Sequence, residues 1–70
     1  MDYRQQIGRN LAAQRKAADM TQEQLSLEAR VPTAQISKIE NGKGNPQVHT
    51  LVRLASGLGV PVAALVDGLP

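Results

Sequence analysis

Apolar side chains recur every three or four positions through most of this chain, and short polar or glycine-rich breaks divide the pattern into helical segments. From Tyr3 to about Ala18 the apolar positions Tyr3, Ile7 and Leu11 return every fourth residue, with Ala18 on the same stripe. Ala12, Ala13 and Ala17 favour the same helix, which the pattern ends near Asp19 and Met20. Thr21-Gln22-Glu23-Gln24 is a capping box, in which the Thr hydroxyl accepts from the Gln24 amide and the Gln24 side chain reaches back. The second helix it opens carries Leu25 and Ala29 on one face and stops at Arg30-Val31-Pro32, because proline disfavours a helical Val31. A third helix runs from about Thr33 to Glu40. Asn41-Gly42-Lys43-Gly44-Asn45-Pro46 is the strongest loop signal in the chain. The fourth helix spans about Gln47 to Leu58, with Val48, Leu51, Val52, Leu54, Ala55 and Leu58 forming a broad buried arc and Gly59 a left-handed cap. Pro61 suits the first position of a last short helix reaching about Val66 and carrying Val62, Leu65 and Val66. The fold class is therefore all-α, a compact five-helix bundle forming one domain over the whole chain, without repeats or long linkers.

Composition narrows the function. The chain has 70 residues, 41% hydrophobic and 1% aromatic, with no cysteine. A domain this small hides only about 60% of the surface its unfolded chain exposes. Its core must be built from Leu, Ile, Val and Ala, with no disulfide to staple it. With one histidine and no cysteine, no metal site is expected, and no cofactor. Ser37, His49 and Asp67 are the residues from which a triad could be drawn, and their spacing suggests none, so an enzyme is not expected. The glycines at 42, 44, 57 and 59 match no phosphate-binding fingerprint and read as turns and caps. No apolar run approaches the roughly 20 residues that cross a bilayer, and no signal peptide opens the chain, which makes the cytoplasm the default expectation and excludes a membrane partner. The net charge of +2 is too small to decide anything alone. Its placement is more telling: between Arg30 and Arg53 stand Arg30, Lys38, Lys43 and Arg53 against Glu40.

The second and third helices are joined by a few residues, which sets them at a steep angle rather than antiparallel. On the third helix Ile36, Ile39 and Glu40 fall together. The opposite side carries Ala34, Lys38 and Asn41, flanked by Ser37 and Gln35. That outer face is small, polar and cationic; it suits either ordinary solvation or the floor of a DNA major groove, where short side chains permit close approach. Glu40 lies on the buried side beside Ile36, and Arg15 lies at the edge of the first helix's buried stripe, one turn after Leu11. A lone buried charge is unfavourable by several kcal/mol, so Arg15 and Glu40 are expected to pair, as a structural rather than catalytic element.

The run MTQEQLSLEARVPTAQISKIENGKGNPQVHTLVRLASGLGV resembles the Cro/C1-type (XRE-type) helix-turn-helix, the DNA-binding domain of lambdoid phage repressors and many bacterial regulators. The resemblance extends from roughly Ile7 to Leu65 and rests on TQEQL, ISKIENGK, NP and LVRLASGLGV in that order. It implies a lambda-repressor-like fold and a bacterial or phage transcriptional regulator that binds double-stranded DNA, usually as a homodimer. It also implies residue roles. Thr33, Ala34 and Lys38 stand at base-facing positions with Gln35 and Ser37 beside them. Gln22, Asn41 and Lys43 stand at phosphate-contacting positions, and the Arg15–Glu40 pair is a recurrent feature. The C-terminal Val62, Leu65, Val66 and Leu69 form an apolar patch that either packs within the monomer or makes a two-fold interface. The sequence departs from the family at Arg30, where glycine is usual, and at Pro32, where serine or threonine is common. Arg30 is either strained in a left-handed turn or an added phosphate contact, and Thr33 is left as a substitute cap for the third helix. Arg4, Arg9, Lys16 and Arg53 read as solvated charges, Arg9 and Lys16 with access to flanking phosphates. Leu27 is out of phase with Leu25 and Ala29 and is expected to be exposed, which keeps open a protein partner, such as an antitoxin's toxin.

Overall fold

The computed structural model describes residues 2–70 and turns the apolar pattern into four α-helices, α1 (Tyr3–Ala17), α2 (Gln22–Ala29), α3 (Thr33–Glu40) and α4 (Val48–Leu58), followed by one 3-10 turn at Val62–Ala64. Helix starts are set locally. The Asp2 side chain accepts from the Arg4 amide at 3.0 Å, and the Arg4 guanidinium donates to both its oxygens. Those bonds hold the Asp2 carboxyl below its ordinary range. The capping box of α2 is complete: Thr21 Oγ1 accepts from Gln24 N at 3.1 Å, and Gln24 Oε1 accepts from Thr21 N at 2.7 Å.

Helix ends share one device. Asp19, Arg30, Gly42 and Gly59 follow α1, α2, α3 and α4, and all have left-handed φ angles of 57°, 58°, 74° and 71°. After α1, Asp19 N donates to Lys16 O and Met20 N to Arg15 O; after α3, Gly42 N donates to Ile39 O and Lys43 N to Lys38 O. These paired bonds satisfy carbonyls that a helix end otherwise leaves open.

The buried core consists of Ile7, Leu11, Leu25, Ala29, Val31, Ile36, Ile39, Leu51, Leu54, Ala55 and Leu65. Aliphatic bulk alone fills it, so the helices must approach closely. Two glycines make that possible. At Gly8, where α1 crosses α3, a Cβ would collide with the carbonyl oxygen of Ile39 and lie 3.0 Å from that of Glu40. At Gly57, where α4 crosses α2, a Cβ would lie 2.9 Å from the Ala29 Cβ. Gly57 is thus a packing residue of a helix crossing and neither a turn nor a cap.

Several expectations need correction. The bundle has four helices, not five: the last is a single 3-10 turn, with Ala64 N donating to Pro61 O and Leu65 N to Val62 O. Pro61 is its extended N-cap, not its first helical residue. A helix of one or two turns gains little from its own hydrogen bonds, and here the tertiary contacts of Leu65 decide the geometry. Tyr3 and Ala18 are exposed, as are Val48 at 74% and Val52 at 49%, although all four sit on apolar stripes. The buried face of α4 is instead Thr50, Leu51, Leu54 and Ala55. Thr33 provides no cap to α3, whose N-cap is Pro32 without any side-chain hydrogen bond.

The α1–α3 crossing is directly testable. Gly8→Ala is expected to destabilise the protein by about 1–3 kcal/mol in urea unfolding, because the added methyl overpacks a backbone contact. Alanine's helix propensity, about 1 kcal/mol better than glycine's, works in the opposite direction. A stabilised variant would mean that the two helices stand farther apart.

Candidate nucleic-acid interface

The turn between α2 and α3 is built around a left-handed arginine. Arg30, at φ 58° and ψ 44°, donates its amide to Ser26 O at 2.9 Å, and Val31 N reaches the same carbonyl at 3.3 Å. Ser26 Oγ donates to Val31 O at 2.6 Å, closing the turn from the side chain. Val31 is buried and anchors the turn in the core, while Pro32 O accepts from Gln35 N and Ile36 N to start α3. A left-handed conformation disfavours a non-glycine residue by about 1 kcal/mol or more, so the sequence retains an arginine here against that strain.

Ile36 and Ile39 face inward on α3, and the helical period therefore turns Ala34, Gln35, Lys38 and Asn41 outward. All four are exposed, and Thr33 and Ser37 are half-buried at the margin. Ala34 and Lys38 stand one turn apart on the outermost ridge, a methyl group beside an ammonium. Asn41 is the C-cap of α3, and the exposed Lys43 follows the Gly42 turn. The base-facing and phosphate-contacting positions that the resemblance implies thus belong to α3 or its ends, with Gln22 at the start of α2.

Behind this face lies a charged hub. Arg15 Nε donates to Glu40 Oε2 at 2.7 Å and its second terminal nitrogen to Oε1 at 3.0 Å. The remaining terminal nitrogen donates to Met20 O at 2.8 Å. Both side chains are nearly buried, at 13% and 8% exposure. Bonds to Glu40 raise the Arg15 guanidinium above the ordinary arginine value, while burial opposes the shift. Because the folded value is raised, the contribution that Arg15 gains from this partner is fully present below the unfolded arginine value and is lost as pH rises through the folded one. Gln22 Nε2 also donates to Glu40 Oε1, at 3.1 Å. One amide hydrogen of Gln22 is therefore held inward, and its second is the one left for a ligand.

The C-terminal segment differs from the patch expected of it. Leu65 is completely buried in the core and belongs to no surface. Val62, Val66 and Leu69 are half-buried against the same core. Asn10 ties the segment down: its Nδ2 donates to Leu65 O at 3.0 Å and Asp67 O at 2.7 Å, while its Oδ1 accepts from Gln6. Nothing in the sequence pattern signals that long-range contact. The Gly8 crossing, by contrast, had a signal, a glycine inside a strong helical stripe. Leu27 stands out from α2 at 82% exposure. Among the described residues no helix is long and apolar enough to cross a membrane.

A family model described as helix-turn-helix matches residues 11–65. The chain is 38% identical over 66 residues to an uncharacterized HTH-type transcriptional regulator of Sinorhizobium fredii, covering 94% of this chain and 86% of that protein. It is 35% identical over 60 residues to the immunity repressor protein of Bacillus phage phi105, covering 86% of this chain and 42% of that repressor. It therefore spans most of the first relative and less than half of the second. Among solved structures, an HTH_3 family transcriptional regulator from Vibrio cholerae matches with a TM-score of 0.87 at 28% identity, over 90% of this chain and 35% of that one. A restriction-modification controller protein from Aeromonas hydrophila matches with a TM-score of 0.86 over 89% of this chain and 94% of that one; at 22% identity the likeness is one of fold.

Removing one partner of the hub leaves the other charge buried and unpaired. Arg15→Ala is expected to lower unfolding stability by about 3 kcal/mol in the absence of any ligand, measured by urea titration. A variant as stable as the parent would show that the pair contributes nothing to the fold.

Proposed function

The chain belongs to the helix-turn-helix family of Cro/C1 type, whose members are DNA-binding transcriptional regulators, and we propose that it reads a palindromic operator as a homodimer. The observation that carries this reading is the exposed ridge of Ala34 and Lys38 on a helix whose reverse side is locked into the core by Ile36, Ile39 and the Arg15–Glu40 pair. A short helix with small outward side chains enters a major groove about 12 Å wide without steric exclusion.

Within that groove Thr33, Ala34, Gln35, Ser37 and Lys38 read base edges. Lys38 donates to a guanine edge, worth about 1–3 kcal/mol of discrimination, and the Ala34 methyl meets a thymine methyl. Gln22, Asn41 and Lys43 contact phosphates and set the register without reading sequence. In the dimer the two recognition helices stand about 34 Å apart, one turn of duplex. With Leu65 withdrawn into the core, the contribution of the C-terminal segment to a two-fold contact is confined to Val62, Val66 and Leu69. The regulator acts in the cytoplasm of a bacterial cell.

One observation favours a second reading. Leu27 is almost fully exposed, and an isolated apolar side chain of that size on α2 suits a protein partner, as in an antitoxin that masks a toxin. The two readings differ in what they select. Enrichment of bound sequences from random duplexes should yield a palindrome whose affinity falls steeply with salt. No enrichment, together with tight binding of a second protein that Leu27→Ala abolishes, would replace the DNA-reading proposal. Lys38→Ala should weaken binding to the selected duplex by roughly tenfold and to random duplex much less. An equal loss on both would make Lys38 a phosphate contact.

A further inference from the structure

Between the turn that precedes α3 and the start of α4 lies an open cleft of about 370 Å³, lined by Arg30, Gln35, His49, Thr50 and Arg53 among others. No acidic side chain lines it among the described residues. Its basic groups come from separate elements, Arg30 from the turn and His49 and Arg53 from successive turns of α4. Neither arginine forms an ion pair among the described residues. Glu28 is near, lining the adjoining hollow with Arg30 and Arg53, and it too is unpaired among the described residues. The α4 N-terminus adds to the positive field, since Gln47 caps it with no side-chain hydrogen bond. Thr50, only 5% exposed, places a hydroxyl-bearing side chain in the lining.

The position of this cleft matters as much as its charge. Gln35 belongs both to the cleft and to the outer half of α3, so the cleft borders the recognition helix directly. Gln22 bonds Glu40, which lies about 140° around α3 from Gln35 and so on its other flank. A helix about 10–12 Å across nearly fills a major groove about 12 Å wide, which brings one phosphate backbone against each flank. A duplex seated on the outward face of α3 would therefore meet Gln22 with one strand and the basic cleft with the other.

We propose that this cleft is a second phosphate clamp, in which Arg30 and Arg53, with an imidazole N–H of His49, hold a backbone phosphodiester of the strand opposite the one met by Gln22. The strained Arg30 then has a function: it lines the cleft with a cationic side chain, which glycine could not supply. The proposal rests on duplex binding through α3 and goes beyond it by assigning residues outside the helix-turn-helix face.

The test uses Arg30→Gly, Arg53→Ala and the double variant, with salt titration on the selected duplex and on random duplex. Arg30→Gly removes the side chain while relieving the backbone, so weakened binding is not a folding defect. The double variant is expected to lower the slope of log K against log salt by about 0.9, the value for one phosphate, an affinity loss of about eightfold at 0.1 M salt relative to 1 M, and equally on both duplexes. Each single change should lose part of that slope, and Arg30→Lys should keep most of it. A wild-type slope in the double variant would overturn the clamp, and so would a changed selected sequence, which would make these residues base readers. Inorganic phosphate titrated alone, followed by the amide resonances of His49 and Thr50, separates the sources: saturation of the cleft together with unchanged DNA slopes would make it a small-anion site and overturn the clamp. A parent protein that binds no duplex would instead refute the function on which the clamp rests.

Discussion

The Arg15 guanidinium gives two of its nitrogens to Glu40 at the end of α3 and the third to the Met20 carbonyl just before α2, and Glu40 passes the constraint on to Gln22 at the start of α2. Three helices, α1, α2 and α3, are therefore tied together through one planar cation. A guanidinium suits this role because its donors point in fixed directions, so bonds in two directions constrain angles as well as distances. Hydrophobic contact is nondirectional and would allow α3 to roll against α1. The ion pair opposes that roll, and Gly8 allows the close approach in which its short bonds form.

A core without aromatic residues depends on such proximity. Leu11, Leu25, Ile36, Leu54 and Leu65 are each fully buried, and dispersion between small aliphatic groups falls off quickly with separation. Glycine and alanine at the crossings of α1 with α3 and of α2 with α4 bring the backbones close enough for these side chains to fill the interior. The same economy explains the C-terminal segment. Leu65 completes the core from a single 3-10 turn, and Asn10 satisfies the carbonyls around it, so the segment is docked by side chains rather than by its own helical bonds.

The surface on the α3 side is arranged by charge in a way that the overall balance conceals. Glu40, the acid nearest the recognition face in sequence, is occupied by Arg15 and Gln22 and contributes little negative field outward. Lys38, Lys43, Arg30 and Arg53 remain exposed around it. A chain with a net charge of only +2 thus presents a locally cationic surface, the pattern expected for a polyanionic partner. Arg30 belongs to this pattern at a position where backbone geometry favours glycine, and such strain is commonly retained where a side chain has a function.

The four α-helices, the capping box of α2 and the buried pair were legible in the sequence, since each follows from residues within a turn or two or from the need to neutralise a buried charge. The outward set on α3 was legible for the same reason: Ile36 and Ile39 define the inner side of an eight-residue helix and hence the outer one. Periodicity orders side chains around a helix's own axis but does not say where neighbouring helices end. Val48 and Val52 lie on an apolar arc yet reach past the cover that the rest of the fold provides, whereas Thr50 falls under it. Leu65 is in the core for a related reason, because a neighbour distant in sequence, Asn10, holds its segment down. The meeting of Arg30 with His49 and Arg53 likewise depends on how α4 crosses α2. Local chemistry therefore determined the α-helices and the outward face of α3, while the tertiary structure decided burial, the helix crossings and the basic cleft, because these depend on distances between residues far apart in the chain.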